Sequence, residues 1–205
     1  MTNFDNEFWD ERFSTDEYIY GKNPNKFFKE QIDKVKPGRL LLLGEGEGRN
    51  SVYAAIKGWK VDAVDFSRAA KEKALKLAKN NSVNINYTVS NLVGFIPREN
   101  YYDFIGLVFI HLKPDLRKVV HKRIVNSLKN NRHIILEAFE KDQLGKNSGG
   151  PQNKEMLYSK KELENDFRDL RIHLLEKGTV FLDEGNKHKG NASVIKFVGE
   201  KVEIK

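Results

Sequence analysis

The sequence predicts an α/β fold in which a mainly parallel sheet is covered by helices on both faces. Three observations predict it. Helical and strand-like segments alternate along most of the 205 residues; residues 40–43 are all leucine and break at once into Gly44, Gly46 and Gly48; and the apolar run that follows ends in an acid, Asp65, 21 residues after Gly44. Alternating elements of this kind place crossover helices over both faces of a parallel sheet.

The elements follow in order. Residues 3–13 read as an amphipathic first segment, and 18–25 as a loop. Pro24 suits the first turn of a helix running to about residue 35, where a missing N–H is tolerated, and Pro37-Gly38 punctuates the chain. A strand at 39–43, a helix at 49–57 and a strand at 60–64 make the first unit. Ser67 is the predicted N-cap of a helix through residue 79, with Ala70, Ala74, Leu75 and Ala78 on one face. Strands at 84–89 and 103–110 flank a turn at Pro97, and a helix at 114–128 leads to a strand at 133–137. Residues 140–155 read as a long loop, a feature that is often functional in a compact domain. A helix at 159–169 precedes strands at 171–182 and 192–198, an antiparallel pair joined by the loop 183–191. The sheet thus has five parallel strands and a terminal hairpin. Ligands of such sheets bind beyond the carboxyl ends of the strands, so the segments after Leu43, Val64, Val89, Ile110, Glu137 and Leu182 converge on one crevice.

Composition bounds the function. A length of 205 residues with 39% hydrophobic content suits one domain, residues 1–205, with 1–36 as an N-terminal helical lid segment and 37–205 as the core. No apolar leader or membrane span is visible, so a soluble cytoplasmic protein is expected. The absence of cysteine removes disulfides, thiolate metal sites and cysteine nucleophiles. The net charge of +7 invites an anionic partner. Its lysines, however, are interleaved with acids, as in Lys71-Glu72-Lys73, which describes solvated helix faces and weighs against nucleic acid. The expected partner is a small-molecule substrate, with no membrane, for a monomer or homodimer.

The glycine segment reads as a nucleotide site. Glycines let the backbone turn out of a strand and leave room for a ligand against the main chain. N–H groups at the next helix start face polar ligand atoms, and Asp65 at the tip of the adjacent strand can accept from both ribose hydroxyls. The spacing is G-x-G-x-G with Arg49 next, not the G-x-G-x-x-G of dinucleotide sites, which argues against NAD and FAD. S-adenosylmethionine, with an amino-acid moiety and no phosphate, fits better. The alternative is a glycine-rich turn with no ligand.

The run Gly44-Glu45-Gly46-Glu47-Gly48-Arg49-Asn50, the Asp65-Phe66 pair before Ser67 and the terminal hairpin resemble class I S-adenosylmethionine-dependent methyltransferases. Further segments are similar to the tellurite-resistance-type small methyltransferases, relatives of the thiopurine type: Phe8-Trp9-Asp10-Glu11-Arg12, Tyr20-Gly21 with Pro24-Asn25, His111-Leu112, Leu136-Glu137-Ala138-Phe139, Gly149-Gly150-Pro151, Leu157-Tyr158 and Glu184-Gly185 with His188. The resemblance implies a Rossmann-like, doubly wound seven-stranded sheet of order 3-2-1-4-5-7-6 with strand 7 antiparallel. It also implies one bound cofactor, yielding S-adenosylhomocysteine. Two positions depart from the pattern: Asn91 stands where Asp usually meets the adenine amino group, and Leu42 stands where many relatives carry Asp.

On this resemblance Gly44, Gly46 and Gly48 line the methionine portion, Asn91 and Leu92 the adenine, Phe66 packs on its face, and Ser67 joins Asp65 among the cofactor contacts. Arg49 meets the methionine carboxylate, Glu45 the ammonium, and Tyr20 with Gly21 covers the site. On the acceptor side His111 is either a general base or a hydrogen-bond partner of a loop carbonyl. His188, Phe109, Arg117 and Glu137 are further acceptor-side candidates. His133 and His173 are assigned structural or surface roles. No metal is expected, because no ligand pair falls on one helix face. The implied reaction is in-line displacement on a thiol, a selenium or tellurium oxyanion, or a nitrogen nucleophile. The alternatives are an RNA or protein methyltransferase and a non-catalytic cofactor-binding protein.

Overall fold

Four consecutive leucines have no polar face, so the strand they form must be covered on both sides. That strand, β1 (Arg39–Leu43), lies at the centre of the sheet. The computed structural model describes residues 3–203, with side chains from residue 7. Residues 1–2 and 204–205, the ends of the expected single domain, lie outside the described residues. Strands β2 (Lys60–Asp65), β3 (Asn86–Val89), β4 (Tyr102–Val108) and β5 (Leu128–Phe139) join β1 in parallel pairs. β7 (Lys189–Lys201) lies antiparallel between β5 and β6 (Arg171–Asp183). The order is β3-β2-β1-β4-β5-β7-β6, as expected.

Alternation along β1 divides the core. Leu41 and Leu43 join Ile124 and Phe167 under α5 (Pro114–Ser127) and α6 (Lys160–Asp166). Leu40 and Leu42 join Phe28, Val52 and Ala74 under α2 (Lys26–Ile32), α3 (Arg49–Ile56) and α4 (Arg68–Asn80). All four leucines are buried, each contributing roughly 1.5–3 kcal/mol. The remaining helix, α1 (Asn3–Phe13), lies against α4. Among the described residues, no helix is long and apolar enough to cross a membrane.

Several boundaries differ from expectation, among them β7, expected at 192–198 and found at Lys189–Lys201. α2 starts at Lys26, because the Asn25 side chain accepts from Phe28 N–H and caps it, leaving Pro24 outside the helix. β5 begins at Leu128, directly after α5. Its polar residues Lys129 to Arg132 extend the strand across a register shift with β4, and Asn131 has φ +59°. The loop after β5 carries two short 3-10 turns, Lys141–Gln143 and Lys154–Met156. Ser67 caps α4 as predicted, accepting from Ala70 N–H.

Candidate functional site

At the carboxyl ends of β1, β2, β4 and β5 a crevice of about 560 Å³ opens, within the usual range for small-ligand sites. Gly44 and Gly46 line it with φ of +56° and +60°. A Cβ on Gly44 would lie 2.8 Å from Ile110 Cγ1, so the turn needs glycine here. Asp65 Oδ2 accepts from Gly46 N–H and Oδ1 from Ser67 N–H, both at 3.0 Å, while the Tyr87 hydroxyl donates to the Gly46 carbonyl at 2.7 Å. The acid thus pins the glycine turn to the tip of β2 and still faces the crevice. Burial raises its pKa to about 6.

Several expected cofactor contacts are placed differently. Gly48 is the left-handed N-cap of α3, and a Cβ on it would lie 2.7 Å from Ala74 Cβ. It serves the approach of α3 to α4 and lies outside the crevice. Glu45 lines the crevice, but its Oε1 accepts from Ser51 N–H at 2.6 Å, satisfying an orphan donor at the start of α3. Burial raises its pKa to about 7. Asn91 turns its amide oxygen onto Val93 N–H at 2.9 Å, a local Asx turn, and does not line the crevice, whereas Leu92 and Phe66 do. Ser67 is spent on its cap and on a hydroxyl bond to Asp10 Oδ1 at 2.5 Å.

The acceptor side begins where β4 ends. Phe109, a non-glycine residue at φ +53°, turns its ring onto Phe139 (centroids 4.7 Å apart) and His188 (4.6 Å). Left-handed backbone at a bulky residue is strained, and such strain clusters at ligand sites. His111 lines the crevice, yet its Nδ1 lies 2.9 Å from the Met156 carbonyl and its Nε2 accepts from Phe139 N–H at 3.3 Å. Burial lowers its pKa to about 4, so the ring is neutral, with the proton on Nδ1. Of the two expectations for His111, the geometry matches the hydrogen bond to a loop carbonyl. Arg117 is misplaced as a substrate residue. Its register on α5 directs Nε onto Asp166 at 2.7 Å, with the guanidinium over the Tyr158 ring, so it joins α5 to α6 away from the crevice. Glu137 also lies behind the crevice wall. Its Oε2 accepts from Asn25 Nδ2 at 2.5 Å, and burial raises its pKa to about 7.

Asn25 joins the N-terminal segment to the sheet. The same amide nitrogen donates to Glu184 Oε1 at 3.0 Å, and Asn25 N–H donates to Asn50 Oδ1 at 2.9 Å. Arg49 lines the crevice with its charge already engaged: Nη2 lies 2.9 Å from Glu184 Oε2, and Nη1 donates to the Tyr20 carbonyl at 3.3 Å. Burial opposes the charge of Glu184, but the pairing with His188 and Arg49 outweighs it and sets the pKa at about 2. Gly185, at φ +73°, passes so near the other segment that a Cβ would lie 2.8 Å from Gly21 N. Tyr20 covers one wall, its ring 4.5 Å from that of His188, and Trp9, Arg12 and Phe13 of α1 line the same side. Glu47, also lining the crevice, pairs with Lys73 at 2.5 Å. Asn25, Asn50, Glu47 and Glu184 were not singled out for these roles, although all four stand in the segments that carry the resemblance.

The family model described as Tellurite resistance protein TehB matches residues 8–197. Hemagglutinin 1 of Eikenella corrodens is 30% identical over 86 residues, 42% of this chain and only 29% of that protein's length. TehB from Haemophilus influenzae superposes with a TM-score of 0.73 at 16% identity, covering 96% of this chain and 66% of the other. The N-methyltransferase NodS from Bradyrhizobium japonicum, in complex with S-adenosyl-L-homocysteine, superposes with a TM-score of 0.69 at 12% identity, covering 97% and 98%. At these identities the likeness to solved structures establishes the fold, and the family match covers nearly the whole chain. The chain belongs to the TehB family of tellurite resistance proteins and has the Rossmann-like fold of class I S-adenosylmethionine-dependent methyltransferases.

Proposed function

We propose that the crevice binds S-adenosylmethionine and that the protein passes its methyl group to a small acceptor that arrives already nucleophilic, a thiolate or a selenium or tellurium oxyanion. The residues fit the cofactor. Gly44 and Gly46 let a ligand lie against the main chain, and Asp65 retains lone pairs for ribose hydroxyls beyond those held by Gly46 and Ser67. Phe66 and Leu92 offer an apolar bed for a base. When bound, the cofactor supplies a sulfonium-activated methyl group, displaced in line by the acceptor.

The observation that carries the acceptor class is the state of His111. With one ring nitrogen on the Met156 carbonyl and the other under Phe139 N–H, it has no site left to take an acceptor proton. The wall around it is apolar, with Phe109, Phe139 and Met156, and α1 with Tyr20 shields the crevice from water. In such a medium a step that neutralises opposite charges is favoured. Arg12 and Lys113 line the crevice and draw anionic acceptors toward it. A nitrogen acceptor that must lose a proton would depend on His188, whose pKa burial lowers.

Calorimetric titration with S-adenosylmethionine and S-adenosylhomocysteine tests the reading. Asp65→Ala is expected to weaken binding roughly 10- to 100-fold, the worth of a charge-assisted hydrogen bond. Affinity in the wild type should also fall as pH drops through about 6, because a protonated Asp65 accepts less well. No binding of either ligand would overturn the proposal. If cofactor binds, turnover with amines but not with thiols, selenite or tellurite would overturn the acceptor class.

A further inference from the structure

We propose that His133, His173 and Glu200 form a binding site for a divalent transition metal of the zinc class, on the C-terminal strands and independent of the crevice. One ligand atom from each residue lies within 4.8 Å of the others. His173 Nε2 is 2.8 Å from Glu200 Oε2, and the two imidazole rings stand 5.7 Å apart between centroids.

The sheet brings these residues together from three strands. His133 on β5 stands directly opposite Glu200 on β7, and Arg171 on β6 stands opposite Glu200 on its other side. In regular pairing Ile172 and Leu174 follow without His173. A register shift between those two residues inserts His173 as an extra position, and its ring turns to Glu200. A bulge re-aims a side chain in this way without disturbing the flanking ladder. The cluster is therefore held by backbone hydrogen bonds before any ion arrives. The three residues come from three strands and share no helical spacing.

Two imidazoles and a carboxylate suit zinc, cobalt, nickel or copper better than calcium or magnesium, which prefer all-oxygen sites. Tetrahedral zinc needs its ligand atoms about 3.3–3.5 Å apart, so the cluster must contract by up to about 1.5 Å. His173 has the freedom to do so, with 43% of its side chain exposed. Three protein ligands leave the fourth position to water. The competing charge is Arg171, whose Nη1 lies 3.5 Å from Glu200 Oε2 on a side chain 64% exposed and able to swing away. Arg132, next to His133, is held by Asp103 at 3.3 Å. The background is low: the chain has five histidines and no cysteine. His111, His121 and His188 are enclosed among side chains or tied to the backbone. His133 also lies six residues before Phe139 along β5, about 20 Å from the crevice, so occupancy does not compete with cofactor.

The test is titration of the chelator-stripped full chain with zinc and with cobalt, read by metal analysis, visible cobalt absorption and melting temperature. One equivalent should bind at submillimolar metal with a rise in melting temperature. His133→Ala and His173→Ala should each abolish binding, and Glu200→Gln should weaken it roughly tenfold. Imidazole proton resonances of the wild type give a reading that needs no variant: zinc should shift those of His133 and His173 and leave the other three in place. Absence of binding at submillimolar zinc, retention of the equivalent in the His133→Ala/His173→Ala double variant, or shifts confined to other histidines would each overturn the site.

Discussion

The two walls of the crevice are built at different ranges along the chain. The glycine wall is local: Asp65 reaches Gly46 across 19 positions, Glu45 reaches Ser51 across 6 and Asp65 reaches Ser67 across 2. The opposite wall and its strap are joined by Asn25 to Glu137 across 112 positions, Arg49 to Glu184 across 135 and Asn25 to Glu184 across 159. The first wall exists once β1 and β2 pair. The second requires β5 and the terminal hairpin to be in place, since those elements carry Glu137 and Glu184. The N-terminal segment beside the crevice is therefore anchored to the last strands of the fold through buried carboxylates.

The sharpest way to break this contrast is Asn25→Ala. It removes the donor shared by Glu137 and Glu184 and the cap of α2 in one step. Losing a hydrogen-bond donor to buried carboxylates costs about 1.5–3 kcal/mol and losing a helix cap about 1 kcal/mol, and urea unfolding should show a loss of about 3–4 kcal/mol. A loss below about 1 kcal/mol would mean that Asn25 does not join the strap to the sheet. Glu137→Gln acts on the same network with a smaller, pH-dependent effect. Burial raises the Glu137 pKa from 4.5 to about 7. A carboxyl whose folded pKa is raised contributes stability that is complete below its unfolded pKa and is lost as pH rises through the folded value. The neutral amide keeps the bond from Asn25 and has no such loss. Relative to wild type, the variant should gain up to about 3 kcal/mol between pH 4.5 and pH 8. A difference that is flat over this window would show that Glu137 is not buried in ionisable form.

The contrast also explains what was legible. Strand order, the glycine turn, the Ser67 cap and Asp65 at the tip of β2 follow from periodicity, backbone freedom and short spacings, all of which are local in sequence. Gly48 reads from the sequence as a cofactor contact, but its place is fixed by Ala74 on the neighbouring helix, a contact that spacing alone does not distinguish from a ligand. Arg117 and Asn91 were misplaced for a related cause. A polar side chain near a strand end has several partners within reach, and here the nearer ones, Asp166 and Val93 N–H, hold them. The network of Asn25, Glu137 and Glu184 has no local signature, because each partner is a single polar residue in an otherwise unremarkable turn or strand end. The His133 cluster was invisible for a further reason: the bulge that delivers His173 appears only in the pairing of two strands.

His111 provides the smallest expected effect and the finest test of how the two walls share the chemistry. His111→Asn keeps a donor for the Met156 carbonyl and removes the acceptor over Phe139 N–H. A buried amide left without a partner costs about 1–3 kcal/mol, which a melting curve would register. Loss of a working general base costs about 100- to 10,000-fold in rate. If His111 only holds the loop against β5, turnover on a thiol at saturating cofactor should fall less than about tenfold. The wild-type rate should also show no inflection from this ring above pH 5, because its pKa is near 4 and the neutral form is constant there. A hundredfold loss, together with an inflection that vanishes in the variant, would put His111 back in the chemistry. The acceptor wall would then supply a base as well as a surface, and nitrogen acceptors would regain their place beside thiolates and metalloid oxyanions.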